Sequence, residues 1–198
     1  IWKGLVGSEM CIRDRDFNEF LKKRKLFCLG DLDTESVHPK TMGLSRLLKE
    51  DLSQGLEALK SVDQEALLSF RDQLASLSQL CLSIDKTFDE GGRVFLCGCG
   101  ATGRLALFLE SLWRQIKGGD QVLAFMAGGD TALVHSLEGF EDFPEYGARH
   151  LRELGFTEKD FLIGSSEGGE TPYVIGAVLE GAKISKRKAY FLYCNPTE

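Results

Sequence analysis

Apolar positions divide the chain in two. Between Leu44 and Leu59 they fall at Leu44, Leu47, Leu48, Leu52, Leu56 and Leu59, and a second series runs Leu67, Phe70, Leu74, Leu77, Leu80 and Ile84. Steps of three and four put each series on one face of a helix. Ser61-Val62-Asp63-Gln64 reads as a capping box between them and Gly91-Gly92 as the stop after the second, so the spacing predicts a helical lead of about 45 residues. After Gly92 the texture changes to short apolar runs, Val94–Cys97, Val122–Ala127, Phe161–Gly164 and Ala189–Cys194, that alternate with helical patterns. That alternation predicts an α/β fold with a parallel sheet. Such sheets bind ligands at the carboxyl ends of their strands, so chemistry is expected in the loops after these runs.

Bulk properties narrow the reading. A chain of 198 residues has room for one domain with a full core and a helical appendage, but not for two enzymatic domains. Hydrophobic content of 43% and charged content of 27% are those of an ordinary soluble chain. A net charge of −6 argues against nucleic-acid binding, which needs clustered Lys and Arg, yet leaves a small anion open. Cys11, Cys28, Cys81, Cys97, Cys99 and Cys194 form no CxxC pair and are expected to be buried free thiols in a reducing cytoplasm. No apolar run reaches the roughly 18 residues of a membrane span, and no signal peptide is evident. The stretch from Val6 to Arg15 resembles translated sequencing-adapter runs; a terminal extension is the alternative, and neither carries function. The expected divisions are an extension over 1–32, a helical lead over 33–90 and a binding domain over 91–198.

Two loops carry the chemistry. Gly98-Cys99-Gly100-Ala101-Thr102-Gly103-Arg104 matches GxGxxG, leaves a buried strand and opens a helix through Leu105, Leu107, Phe108 and Leu109. Glycines let the backbone approach an anion, helix-start amides and the Thr102 hydroxyl can donate to phosphate, and Arg104 adds charge. Packing alone is the alternative reason for those glycines. A dinucleotide site would require an acidic residue at the tip of the second strand, and that tip reads Met126-Ala127-Gly128-Gly129, with Asp130 too late. Ser165-Ser166-Glu167-Gly168-Gly169-Glu170-Thr171-Pro172 again joins strand to helix, with Pro172 suited to the first turn. Between the loops lie Glu138, Glu141 and Asp142, which on composition read as a solvated face; the alternative is that two close carboxylates raise one pKa, which makes Glu141 the candidate general base. His38, His135 and His150 have no metal-ligand spacing and are expected at the surface or in packing, and Lys22-Lys23-Arg24-Lys25 reads as a solvated helix face.

Several stretches together resemble one family: Thr34-Glu35-Ser36 with Pro39 and Thr41, Gly91-Gly92-Arg93, the Gly98–Arg104 loop, Ala127-Gly128-Gly129, Glu138 to Asp142, Thr171-Pro172-Tyr173-Val174, and Cys194-Asn195-Pro196. They are similar to N-acetylmuramic acid 6-phosphate etherases and the related glucokinase regulatory protein. The resemblance implies a three-layer sugar isomerase (SIS) domain that binds a phosphorylated hexose or amino sugar, uses no metal or organic cofactor, and forms a homodimer with helices of both subunits near the site. In the etherases one glutamate protonates the leaving lactate and another is the base at carbon 2. The base matches Glu141, but the acid position falls on Leu112. Glu110 lies two positions earlier, about 200° around the helix.

Ala101 replaces a Thr of the family loop, and Gly168 and Glu170 stand where the etherases have Ser and Arg. Loss of general-acid help costs about 10²–10⁴ in rate, and Glu167 with Glu170 would repel a phosphate that they faced. The resemblance therefore implies a phosphosugar-binding protein acting as sensor, regulator or altered enzyme, with a regulated protein partner as one possibility. An etherase is the rival reading, and a nucleotide-binding protein the third. The expected ligand-binding set is Gly98, Gly100, Ala101, Thr102, Gly103, Arg104, Ser165, Ser166, Glu167, Gly168 and Thr171. Family members continue with another strand and further helices, so the sheet is expected to be incomplete at the C-terminus.

Overall fold

In the computed structural model, which describes residues 32–74, 77–185 and 189–195, four strands form one parallel sheet. β1 (Val94–Gly98) runs between β2 (Val122–Met126) and β3 (Phe161–Ser165), and β4 (Tyr190–Leu192) pairs with the other side of β3. Val94 aligns with Val122 on one side and Phe161 on the other, so the three long strands end level, at Gly98, Met126 and Ser165. The chain divides into two units, Ile1–Ser36 and Val37–Glu198. Of the first, the described part is a 3₁₀ turn over Asp33–Glu35, closed by Ser36 Oγ donating to Asp33 O at 2.9 Å. The adapter-like stretch, the Lys22–Lys25 run, Cys11, Cys28 and Pro196 lie outside the described residues.

The second unit begins with a 3₁₀ turn (Pro39–Thr41) and three helices, α1 (Leu44–Glu50), α2 (Leu52–Gln73) and α3 (Ser78–Asp89). The break in the first apolar series falls at Asp51, which corrects the capping box expected at Ser61–Gln64. Asp51 is extended (φ −149°, ψ 99°) and its Oδ1 accepts the Gln54 N–H at 3.0 Å. Ser61 instead sits inside α2 with its hydroxyl donating to Ala58 O at 2.8 Å. An N-cap must leave the helical region, and the run of strong helix formers Leu56-Glu57-Ala58-Leu59-Lys60 carries the helix into Ser61.

Alternation along the strands sorts side chains onto two faces. Phe95, Cys97, Phe125 and Leu162 join Leu151, Tyr173 and Val174 beneath α6 (Pro144–Glu153) and α7 (Pro172–Ile184). Val94, Val122, Phe161 and Ile163 face the other way, against Leu80, Ile84 and Phe88 of α3 and Trp113 of α4 (Gly100–Lys117). Helix, sheet and helix make three layers. α6 and α7 pack so closely that a Cβ on Gly147 would overlap Tyr173 O, and one on Gly176 would overlap Pro144 O. Cys97 is buried and Cys99 half-buried, as expected of apolar thiols, but Cys81 and Cys194 are exposed. Cys81 sits on an outward position of α3 and Cys194 just past β4, where no layer covers them.

At the amino ends of β1 and β3 a buried carboxylate joins the strands. Asp160, 1% exposed, accepts from Arg93 N at 2.8 Å, Arg93 Nη2 at 2.9 Å, Thr157 N at 2.8 Å and Thr157 Oγ1 at 2.9 Å. Burial by itself would raise the Asp160 pKa, but the hydrogen bonds from Arg93 and Thr157 outweigh it and hold the group below the ordinary aspartate value of 3.8. Asp160→Asn should lower stability at pH 7 by roughly 3 kcal/mol in urea denaturation, because Arg93 loses its counter-charge. The carboxylate's contribution is present above pH 3.8 and is lost as acid carries the group through its depressed folded value, so wild type and variant should converge in strong acid.

Candidate functional site

The three glycines of the first loop have different physical reasons. A Cβ on Gly98 would lie 2.5 Å from Gly103 N, and one on Gly103 would lie 2.6 Å from Met126 Cβ, so both positions serve the close approach of α4 to the strand ends. Gly100 has open space around it but φ +51°, a conformation that favours glycine. This geometry starts α4 directly above the end of β1. Helix geometry leaves the N–H groups of Gly100 and Ala101 without an intrahelical acceptor, and the helix dipole adds positive potential there. The arrangement suits an anion.

Thr102 holds this loop to its neighbour. Its Oγ1 accepts the Cys99 N–H at 3.1 Å and lies 2.9 Å from Cys99 O and 3.1 Å from Ser165 O, so the hydroxyl is occupied within the protein. Ser165 Oγ returns the contact by donating to Cys97 O at 3.3 Å. In the second loop Ser166 is buried; its Oγ pairs with Thr171 Oγ1 at 2.9 Å and accepts the Gly169 N–H at 3.2 Å. The loop is fastened to the chain leaving β4, since Cys194 N donates to Glu167 O and Asn195 Nδ2 to Gly168 O, at 2.9 and 2.8 Å. Ala101, Arg104, Glu167 and Glu170 are exposed at this end of the sheet. Arg104 Nη2 donates to Ala132 O of the short helix α5 (Thr131–Val134) at 3.3 Å.

Glu141 is half-buried beside the first loop, with Oε2 3.5 Å from Cys99 Sγ, while Glu138 and Asp142 are exposed. Its backbone is fixed by Tyr173 N–H, which donates to Glu141 O at 2.9 Å. Tyr173, a residue that the sequence did not single out as part of this end, is fully buried with its hydroxyl 2.6 Å from His150 Nδ1 and 3.2 Å from Met126 O. Burial, with Cys97 and Cys99 adding to it, raises the Tyr173 hydroxyl pKa, and burial lowers that of His150; both are therefore neutral around pH 7. His38 caps the 3₁₀ turn by accepting from Lys40 N, and His135 is exposed.

Glu110 is not at this end of the site. Its Oε2 accepts the Ala124 N–H of edge strand β2 at 2.7 Å, and its Oε1 accepts from Arg114 Nη2 at 2.8 Å. Leu112 is half-buried on α4. This end thus offers an anion-suited helix start with Glu141 half-buried against it and Glu167 and Glu170 exposed on the second loop, while the α4 carboxylate Glu110 faces β2.

The model of the glucokinase regulatory protein N-terminal SIS domain matches residues 76–183. The chain belongs to that SIS family. An N-acetylmuramic acid 6-phosphate etherase of Actinobacillus pleuropneumoniae is 33% identical over 177 residues, spanning 88% of this chain and 57% of that protein. N-acetylmuramic acid 6-phosphate etherase 2 of Vibrio cholerae is 35% identical over 170 residues, 85% of this chain and 54% of the relative. The chain therefore spans little more than half the length of these relatives. The solved phosphoheptose isomerase of Francisella tularensis has the same fold, with a TM-score of 0.54 at 20% identity over 72% of this chain and 74% of that one.

Thr102→Val keeps the branched shape and removes the hydroxyl between the loops of this SIS domain. Leaving the Cys99 N–H unpaired should cost about 1–3 kcal/mol. Hydrogen exchange should speed up at the amides of Cys99 and the 165–171 loop, while the amino ends of the strands keep their protection.

Proposed function

We propose that this SIS domain binds a phosphorylated hexose or amino sugar and serves as a sensor, a regulator or an enzyme of altered chemistry. The observation that carries this reading is an anion-suited helix start on an α4 whose own carboxylate, Glu110, is turned to the edge of the sheet. At the family acid position stands Leu112, and Glu110 is engaged by Ala124 and Arg114. Phosphate would meet the Gly100 and Ala101 amides and Arg104, with the Ser165–Thr171 loop on the other side and Glu141 toward the sugar ring. The exposed Glu167 and Glu170 favour a sugar placed so that its dianion keeps away from the second loop.

One observation favours a second reading, lactate elimination from N-acetylmuramic acid 6-phosphate. Glu141, at the family base position, is half-buried against the first loop rather than solvated with Glu138 and Asp142. A homodimer belongs to either reading. Leu105, Phe108, Leu109 and Ile116 are exposed on α4, and with Leu112 they follow the three-and-four spacing of a helix-packing face. The described cysteines are free, which accords with a cytoplasmic setting, and no helix among the described residues is long and apolar enough to cross a membrane.

Titration calorimetry with fructose 6-phosphate, glucosamine 6-phosphate and N-acetylmuramic acid 6-phosphate should give saturable binding to at least one of them, weakened about tenfold by Thr102→Ala, equivalent to about 1.4 kcal/mol. Silence with all three would overturn the binding reading. Lactate release from N-acetylmuramic acid 6-phosphate that is abolished by Glu141→Gln would establish the etherase reading in its place.

A further inference from the structure

Cys99 meets Glu141 across 42 residues of sequence, and both partners are held by their backbones. Cys99 is extended (φ −133°, ψ 150°), and Thr102 Oγ1 accepts its N–H at 3.1 Å and lies 2.9 Å from its carbonyl oxygen. Strand alternation sends the Cys99 side chain to the same face as Cys97, where it packs against the core beneath α6 and α7. Glu141 is pinned from the other side by Tyr173 N–H. A carboxylate only accepts and a thiol is a weak donor, so the hydrogen in this contact comes from Cys99.

We propose that Cys99 is a positioning residue for Glu141, its S–H donating to Oε2 so that this oxygen is held to the glycine loop and Oε1 is the one available to a ligand. This rests on Glu141 being the ligand-facing carboxylate of the function proposed above. Burial, the Glu141 carboxylate and, more weakly, Asp142 raise the Cys99 pKa to about 11, against a lowering contribution from the Gly100 N–H. Its neighbours Cys97 and Tyr173 are also raised by burial and stay neutral, so nothing close by withdraws the thiol proton around pH 7.

The test reads the contact directly, through iodoacetamide alkylation of the intact chain from pH 7 to 10 with each cysteine followed by peptide mass mapping. Only thiolate reacts, so removing the neighbouring charge brings reactivity to lower pH. Glu141→Gln should speed Cys99 alkylation roughly three- to tenfold at fixed pH, equivalent to a drop of about half to one pKa unit, and leave the exposed Cys81 and Cys194 unchanged. Glu141→Asp, which withdraws the carboxylate by one methylene, should give a smaller shift in the same direction and serves if the Gln variant does not fold. Cys99→Ala should reproduce the effect of Glu141→Gln on hexose-phosphate binding or lactate release, and Cys99→Ser, which keeps a donor, should restore it. An unchanged Cys99 profile in both Glu141 variants would overturn the positioning role alone, as would Cys99→Ala being silent where Glu141→Gln is not. A shifted profile with Glu141→Gln silent toward ligand would instead overturn the role given to Glu141, and the positioning role with it.

Discussion

At the end of β1 a strand and a helix meet with no room for a side chain between them. Gly98 and Gly103 are the two sides of that contact, and a methyl group on either would displace the first turn of α4 from the sheet. The rest of the carboxyl end follows from it. Because α4 starts there, its free amides lie over the strand ends, Thr102 reaches the tip of β3, and Cys99 turns toward Glu141. The glycine spacing thus fixes distances among groups that come from three separate segments of the chain.

The two ends of the sheet are stabilised differently. The amino ends are joined by a buried carboxylate with five donors, and the guanidinium of Arg93 also covers the Phe95 ring at 4.9 Å. The carboxyl ends are joined by single hydrogen bonds between loops, either side chain to backbone or backbone to backbone. Removing a charged partner from burial costs several times what a neutral hydrogen bond contributes. Substitutions at the loop end therefore leave the frame in place, and Ala101, Gly168 and Glu170 occupy that tolerant end.

Periodicity made the strands and their parallel pairing legible, since short apolar runs followed by helical spacing leave few other folds, while the three-layer arrangement came from the family resemblance. Local chemistry made Gly100 legible as a turn residue. Other features depend on partners that a linear reading cannot supply. Ser61 and Asp51 are both cap formers, and only the backbone around them decides which one leaves the helix. The Thr102, Ser165 and Ser166 hydroxyls are identifiable as donors from sequence, but their occupation by carbonyls and by one another depends on β3 lying next to β1. The Cys99–Glu141 contact is of the same kind. For Glu110, helical rotation indicated a direction away from Leu112, while its partner Ala124 follows from β2 being the edge of the sheet, which strand order decides.

That edge has a consequence for solubility. An outer strand offers unpaired N–H and C=O groups to any other strand that arrives, and here one of those N–H groups is already occupied by a carboxylate that Arg114 holds in place. A second chain adding to β2 would have to dislodge this pair at the middle of the strand. Resistance to edge-to-edge aggregation therefore resides in Glu110 and Arg114, side chains of α4 apart from its glycine start, and the two features of the helix can change in evolution independently.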